Sequence, residues 1–339
     1  MNCLVFGYGY MGKIRYQVLR RHPEVRRITV VDPGIDPRTA ELDGVLLPRE
    51  ASIPWEEYDV VFVCTPNHVT APLCIEGLRR CGRVFCEKPP GRNWEEFCRI
   101  ADVAAQLPQP TLAFGFNHRL HPSIQAAHAL MGEGGLGDVL YVKGTYGKSG
   151  GMDFPSSWRA DPEIAGGGIL LDQGIHMLDV FGFLLGLLTV EDAILTASYW
   201  GGPLEDNAFV LVRSDRGVPA FLHSSSTLWK HTFRLEVGCR DGYLVAGGLL
   251  SQTGSYGREQ LVIGRRQFEP EALALGNPRE EIIYFDRDES WEREVAEFLA
   301  AAKAGRPATH GTLEDARRVM ALIRDCYALA ERRRVLAEH

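Results

Sequence analysis

A doubly wound α/β domain followed by an α+β domain with an open, mainly antiparallel sheet is the fold class that this 339-residue sequence predicts. Three observations carry that expectation. Short, wholly apolar runs alternate with helix-like runs over the first 120 residues, the pattern of a parallel sheet covered on both faces. A glycine-rich turn lies between the first apolar run and the first helix. After Pro122 the strands lengthen, alternate in polarity and are joined by turn signals, as in an antiparallel meander.

Each element follows from local pattern. Leu4-Val5-Phe6 is the first strand, Gly7 to Gly12 form the turn, and 13–21 read as a helix. Residues 27–31, rich in β-branched side chains, are a second strand, with 60–64, 84–86 and 112–115 the third to fifth. Between them 69–81 read as a helix stopped by Gly82, and Asn93 can cap another that runs through Gln106. In the second half the expected strands are 139–146, 194–200, 208–213, 220–226 and 233–237, interrupted by a helical segment over 168–185. Helices over 291–303 and 313–334 close the chain, the last with a capping-box-like start at Thr312 and Asp315. The expected domains are 1–120, for a dinucleotide, and 121–339, for substrate and self-association, with 291–334 able to pack back on the first.

Composition narrows the function classes. Charged residues make up 24% and hydrophobic residues 45%, enough for two cores. The net charge of -7 argues against a general grip on nucleic acid. No run of eighteen apolar residues occurs, so no membrane span is expected, and the N-terminus lacks the basic region of a signal peptide. A cytoplasmic protein is expected. Its eight cysteines form no C-x-x-C pair and no zinc spacing, which fits reduced thiols.

Gly7-Tyr8-Gly9-Tyr10-Met11-Gly12 fits G-x-G-x-x-G. A second match, 132–137, follows a helix-like run and precedes a strand, the reverse of what a dinucleotide needs, and reads as a loop. The first lies between strand and helix. Its glycines permit a tight turn, close approach of a pyrophosphate and close helix–strand packing, and the helix N-terminus favours the phosphates. Asp32, twenty residues after Gly12, stands where a carboxylate accepts hydrogen bonds from the adenosine ribose. It would repel a 2'-phosphate, so NAD is expected over NADP. Arg38, in the loop that follows, is the residue that could reverse that preference.

Three further segments carry chemistry. Thr65-Pro66-Asn67-His68 follows the third strand and Glu87-Lys88-Pro89 the fourth, both at carboxyl ends where open α/β sheets bind ligands. The third contains Asp172-Gln173-Gly174-Ile175-His176, in which a helix would stack Asp172 and His176 on one face. His118, His121 and His128 invite a metal reading, but their spacing does not suit one helical face and Pro122 breaks the run, so no metal is expected.

In this order the glycine motif, Thr-Pro-Asn, Glu-Lys-Pro, Asn117-His118-Arg119 and Asp-x-Gly-x-His resemble the Gfo/Idh/MocA family of oxidoreductases over nearly the whole chain. The resemblance implies that Lys88, Asp172 and His176 are catalytic. It also implies a second-domain sheet used for oligomerisation, and the large apolar side chains of Trp200, Phe209, Phe221 and Trp229 in the 194–237 strand region point to a homodimer or homotetramer built partly through that sheet. Elementary chemistry agrees with the catalytic roles. Oxidising a secondary alcohol needs a base for the hydroxyl proton, and a histidine titrates near neutrality. A lysine can stabilise charge on the reacting oxygen, and Asp172 can orient His176 or grip a neighbouring hydroxyl.

The segment 146–162 adds Lys148, Trp158 and Arg159. Trp158 can stack on a sugar face, and Lys148, Arg159 and Arg119 can meet phosphate or carboxylate oxygens, although Trp158 and Arg159 can equally brace their loop. The stretch resembles family members acting at the 3-position of nucleotide-linked pyranosides, which is the expected substrate class. Alternatives are an inositol or free-sugar dehydrogenase, an NAD-dependent glycoside hydrolase, and a non-catalytic NAD-binding sensor.

Overall fold

The computed structural model describes residues 1–35, 45–47, 52–251, 253–267 and 276–337. Arg38, the residue that could reverse the expected preference for NAD, lies outside them. The chain forms two compact units. The first comprises Met1–Asn117, Asp161–Gly166 and Trp291–Met320, the second His118–Ala160, Gly167–Ser290 and Ala321–His339. The sequence pattern changes after Pro122, but the first unit ends at Asn117 and takes in two later segments.

The first unit is built on β1 (Asn2–Phe6), β2 (Arg27–Val31), β3 (Val45–Leu47), β4 (Val60–Val63), β5 (Arg83–Cys86) and β6 (Thr111–Phe114). They form one parallel sheet in the order β3-β2-β1-β4-β5-β6, with Leu4 opposite Thr29 on one side and Val61 on the other. Three helices connect the strands: α1 (Tyr10–Arg21), α2 (Asn67–Cys81) and α3 (Trp94–Gln106). The caps follow local chemistry. Gly82 adopts φ 72° and returns its N–H to Leu78 O at 2.9 Å, while Asn93 accepts from Glu96 N at 2.9 Å. The sheet has six strands where the sequence suggests five; three residues of β3 are too few to show a period.

The second unit begins with α4 (Pro122–Gly132) and β7 (Val139–Ser149). The four-residue α5 (Pro162–Ala165) belongs to the first unit. A π-helical turn, Leu170–Gly174, then leads into α6 (Ile175–Leu185). The remaining strands are β8 (Leu188–Thr196), β9 (Asn207–Ser214), β10 (Pro219–Ser225), β11 (Thr227–Cys239), β12 (Gly242–Gly247), β13 (Glu259–Arg265) and β14 (Glu280–Phe285). They join β7 in an eight-stranded sheet, antiparallel except where β10 runs parallel to β7. The strand expected over 194–200 is corrected to Leu188–Thr196. Asp206 accepts from the backbone N–H groups of Ser198, Tyr199 and Trp200 and draws that segment into a turn. Strands β12 to β14 were not expected.

Two helices close the chain, α7 (Ser290–Ala304) and α8 (Leu313–Ala337). The first lays Val295, Phe298, Leu299 and Ala302 into the core of the first unit, where Phe298 meets Phe62 and Phe85 edge-on at 5.4 and 5.5 Å. The helical stretch 162–185 is long and apolar enough by composition to cross a membrane, although it holds no run of eighteen apolar residues, and it is largely buried inside the fold, as core helices are.

Candidate active site

In the first unit, the three glycines of the turn do three different things. Gly7 has φ 88°, and a Cβ there would lie 2.4 Å from Cys64 O. A Cβ on Gly12 would lie 2.0 Å from Gly7 O, so only glycine lets α1 pack this close. Gly9, the N-cap of α1, has no atom within 4 Å of where its Cβ would be. That open side, beside a helix start with neither a side-chain cap nor an acidic first turn, fits a pyrophosphate. Tyr10 is exposed and Met11 half-buried beside it.

Asp32 directly follows β2 and fastens the turn. One carboxylate oxygen accepts from Tyr8 N at 2.6 Å, the other from Gly34 N at 2.8 Å. Two donors leave about half of a carboxylate's roughly four acceptor positions, enough for ribose hydroxyls. After β4, Thr65 and Pro66 lead into α2, and His68 is exposed. Asn67 is buried and donates to Ala165 O at 2.7 Å, so its amide serves the fold of this unit.

Glu87 and Lys88 directly follow β5. Lys88 is half-buried, and the Lys88–Pro89 peptide is cis. Glu87 is buried and accepts from Arg15 Nε at 2.6 Å. Burial pushes its carboxyl above the usual range, and Arg15 opposes that rise.

In the second unit, Asp172 lies inside the π-helical turn and His176 in the first turn of α6. The wider π turn means the four-residue spacing does not give the simple stacking of a regular α-helix. Asp172 Oδ2 lies 3.3 Å from Arg159 Nε, and the Arg159 guanidinium covers the Trp158 ring at 4.4 Å. Those three residues therefore form one chain. His176, 6% exposed, stacks face to face on His118 with ring centroids 3.8 Å apart. Tyr146 stands against both rings, at 5.2 Å from His118 and 6.4 Å from His176. Tyr256 packs on Tyr146 at 5.6 Å and takes a hydrogen bond from Gln173.

Lys148 sits at the end of β7, where β11 loses register. Ser149 pairs with Thr227 but Gly147 with Thr232, so residues 228–231 bulge out. His231, in that bulge, is pulled below the ordinary histidine value by burial and by the Lys148 charge. Arg119 grips buried Asp179 with both arms, at 2.7 and 2.6 Å. Of the other two histidines in the 118–128 segment, His121 stays near His118, with ring centroids 5.6 Å apart, and His128 turns elsewhere. His121 meets Glu259 at 2.9 Å, and His128 stacks on Phe183.

The start of the Asp172 turn is clamped. Glu205 accepts from Gly168 N, Leu170 N and the Tyr327 hydroxyl at 3.1, 3.0 and 2.8 Å. Burial raises its carboxyl, and these donors partly oppose the rise. Sequence reasoning did not single out Glu205, Tyr327, Tyr256 or the His118 stack. Each lies dozens of residues from what it supports, and no local period marks it.

Comparison with known proteins gives a consistent picture. Residues 1–113 match a family model described as an oxidoreductase family with an NAD-binding Rossmann fold, and residues 124–245 match the GFO/IDH/MocA C-terminal domain. A levoglucosan dehydrogenase of Pseudarthrobacter phenanthrenivorans is 31% identical over 160 residues, 47% of this chain and 41% of its own. A D-glucoside 3-dehydrogenase of Escherichia coli is 33% identical over 135 residues, 39% of this chain and 37% of its own. The matched part thus spans about two-fifths of the length of both relatives. A putative UDP-kanosamine synthase oxidoreductase subunit of Amycolatopsis mediterranei is 27% identical over 248 residues, 66% of this chain and 68% of its own. A solved levoglucosan dehydrogenase in complex with NADH has the same fold, with a TM-score of 0.78 at 20% identity, covering 98% of this chain and 97% of that one.

Proposed function

The chain belongs to the GFO/IDH/MocA oxidoreductase family, with an NAD-binding Rossmann domain as its first unit, and from that premise we propose that it moves hydride between nicotinamide and a secondary alcohol or ketone of a sugar. The substrate in this reading is a nucleotide-linked pyranoside, reacting at C3, in the cytoplasm. The relatives named for glucoside 3-dehydrogenation and for a UDP-linked sugar support that class. The observation that carries the reading is the grouping around His176: a buried imidazole stacked on His118, backed by Tyr146, on the helix whose preceding turn ties Asp172 to Arg159.

The bound cofactor supplies the hydride acceptor. The turn that Gly7 and Gly12 shape, open at Gly9 and flanked by Tyr10 and Met11, would hold its pyrophosphate, and Asp32 would hold its ribose. Thr65, Pro66 and His68 line the same edge of the sheet. His176 takes the hydroxyl proton in oxidation and returns it in reduction. Lys88 hydrogen-bonds the reacting oxygen as negative charge develops. Asp172 holds a neighbouring hydroxyl, its own position set by Arg159. Trp158 and Lys148 serve the distal part of the substrate, whereas Arg119, committed to Asp179, acts as a brace.

The test is NADH formation with UDP-glucose, levoglucosan and myo-inositol. UDP-glucose should turn over fastest, and His176→Ala should lower that rate about 10²–10⁴-fold while NADH still binds. Turnover of myo-inositol alone would replace the substrate class. Near-normal turnover by His176→Ala would remove the proton-transfer role.

A further inference from the structure

Arg15 is fully buried on α1, one turn beyond Gly12. Its Nε bonds Glu87 Oε1 at 2.6 Å, and its Nη2 bonds Glu294 on α7. The guanidinium lies between the Phe85 ring at 4.3 Å and the Trp291 ring at 4.8 Å. His310 adds a nitrogen 3.6 Å from Glu294. Burial pushes Glu294 up, but Arg15 and His310 outweigh it and hold the carboxyl below the usual range.

One guanidinium thus faces two carboxylates where water is excluded. Apolar side chains of similar volume usually fill such a place at no loss of stability, so stability alone is a weak reason for the arrangement. Position is a stronger one. The guanidinium is a rigid planar fork, and each arm fixes one carboxylate. Glu87 has little room elsewhere: a Cβ on Gly115 would come 2.7 Å from Glu87 Oε2. Glu87 immediately precedes Lys88, and Arg15 rides on the helix whose start carries the glycine turn.

We propose that Arg15, gripped by Glu87 and Glu294, is a positioning residue for Lys88, tying the lysine's turn to the helix that carries the glycine turn. This rests on the reading that Lys88 acts on the reacting oxygen. Arg15 acts through Glu87 and not on the substrate.

A double-mutant cycle tests it, because an effect routed through Lys88 disappears when Lys88 is gone. NADH formation is measured with UDP-glucose, or with levoglucosan if that is the faster of the two. Arg15→Lys keeps the charge but loses the fork. It should lower the rate tenfold or more in the wild-type background and less than twofold in Lys88→Ala, with NADH affinity within threefold of wild type throughout. Glu294→Gln carries the same cycle, with the same expected pattern, if Arg15→Lys does not fold. Equal losses in both backgrounds, or NADH affinity falling in step with the rate, would overturn the inference and leave the proposed chemistry standing. A Lys88→Ala protein working at the wild-type rate would overturn the chemistry at Lys88 and the inference with it.

Discussion

Asp32 shows how one side chain carries two duties. Its carboxylate accepts from Tyr8 N and Gly34 N, which shapes the turn, and it stands just after β2, where the ribose of a dinucleotide is expected. A 2'-phosphate would face that negative charge. NAD should therefore bind more tightly than NADP, and Asp32→Ala should narrow the gap while weakening both by loosening the turn. Fluorescence titration with NADH and NADPH checks this, and tighter NADPH binding by the wild type would reverse the assignment. Arg15 and Glu87 show the opposite distribution of duty, where two charged side chains are spent on holding a third residue. Glu87 was legible in the Glu-Lys-Pro segment as a ligand-side residue, whereas the fold turns it inward onto Arg15; Arg15 itself has no mark in the sequence, because an arginine on the first helix reads as solvated until the fold buries it.

Among the elements, β13 contributes a device of its own. Glu259, fully buried at its start, accepts from Ser123 N at 2.9 Å, Ser123 Oγ at 2.6 Å and Leu250 N at 3.2 Å, and meets His121. Burial pushes its carboxyl up, yet His121 and Ser123 outweigh that, and the folded value lies below the ordinary 4.5. A carboxyl lowered on folding stabilises the fold above its unfolded value and loses that contribution as pH falls through the folded one. Glu259→Gln should cost about 1–3 kcal/mol near neutrality. Its stability should also fall less steeply than that of the wild type below pH ~4.5 in denaturant titrations. Parallel losses in the two proteins would show that Glu259 titrates elsewhere. The elements themselves were legible in proportion to their local signals. The glycine turn, Asn93 and Gly82 mark their own boundaries, and five apolar runs mark five of the six parallel strands. Two missed features have no local mark: β3, with three residues, and the π turn at Asp172, which needs Glu205 and Tyr327 to hold it. Strands β12 to β14 do carry short apolar runs, at 244–246, 261–263 and 282–284, after the turn signal Arg240-Asp241-Gly242, and were readable.

For the whole molecule, the eight-stranded sheet leaves one face to explain. On β9 and β10, Ala208, Val210, Val212, Ala220 and Leu222 are buried, while Leu211 and Phe221, cross-strand neighbours, are exposed, and Ile194 is exposed on β8. An apolar face of this kind marks association, and we propose a homodimer or homotetramer formed through it. Light scattering at micromolar concentration should give at least twice the chain mass, and Phe221→Glu should lower it; a wild-type monomer would contradict the proposal. Hydride transfer from the sugar carbon can be followed atom by atom with UDP-glucose deuterated at C3. Deuterium should pass to the nicotinamide, seen by mass spectrometry as deuterated NADH. Deuterium retained in the sugar while NADH forms, or no NADH from any sugar by a protein that binds the cofactor, would contradict that transfer.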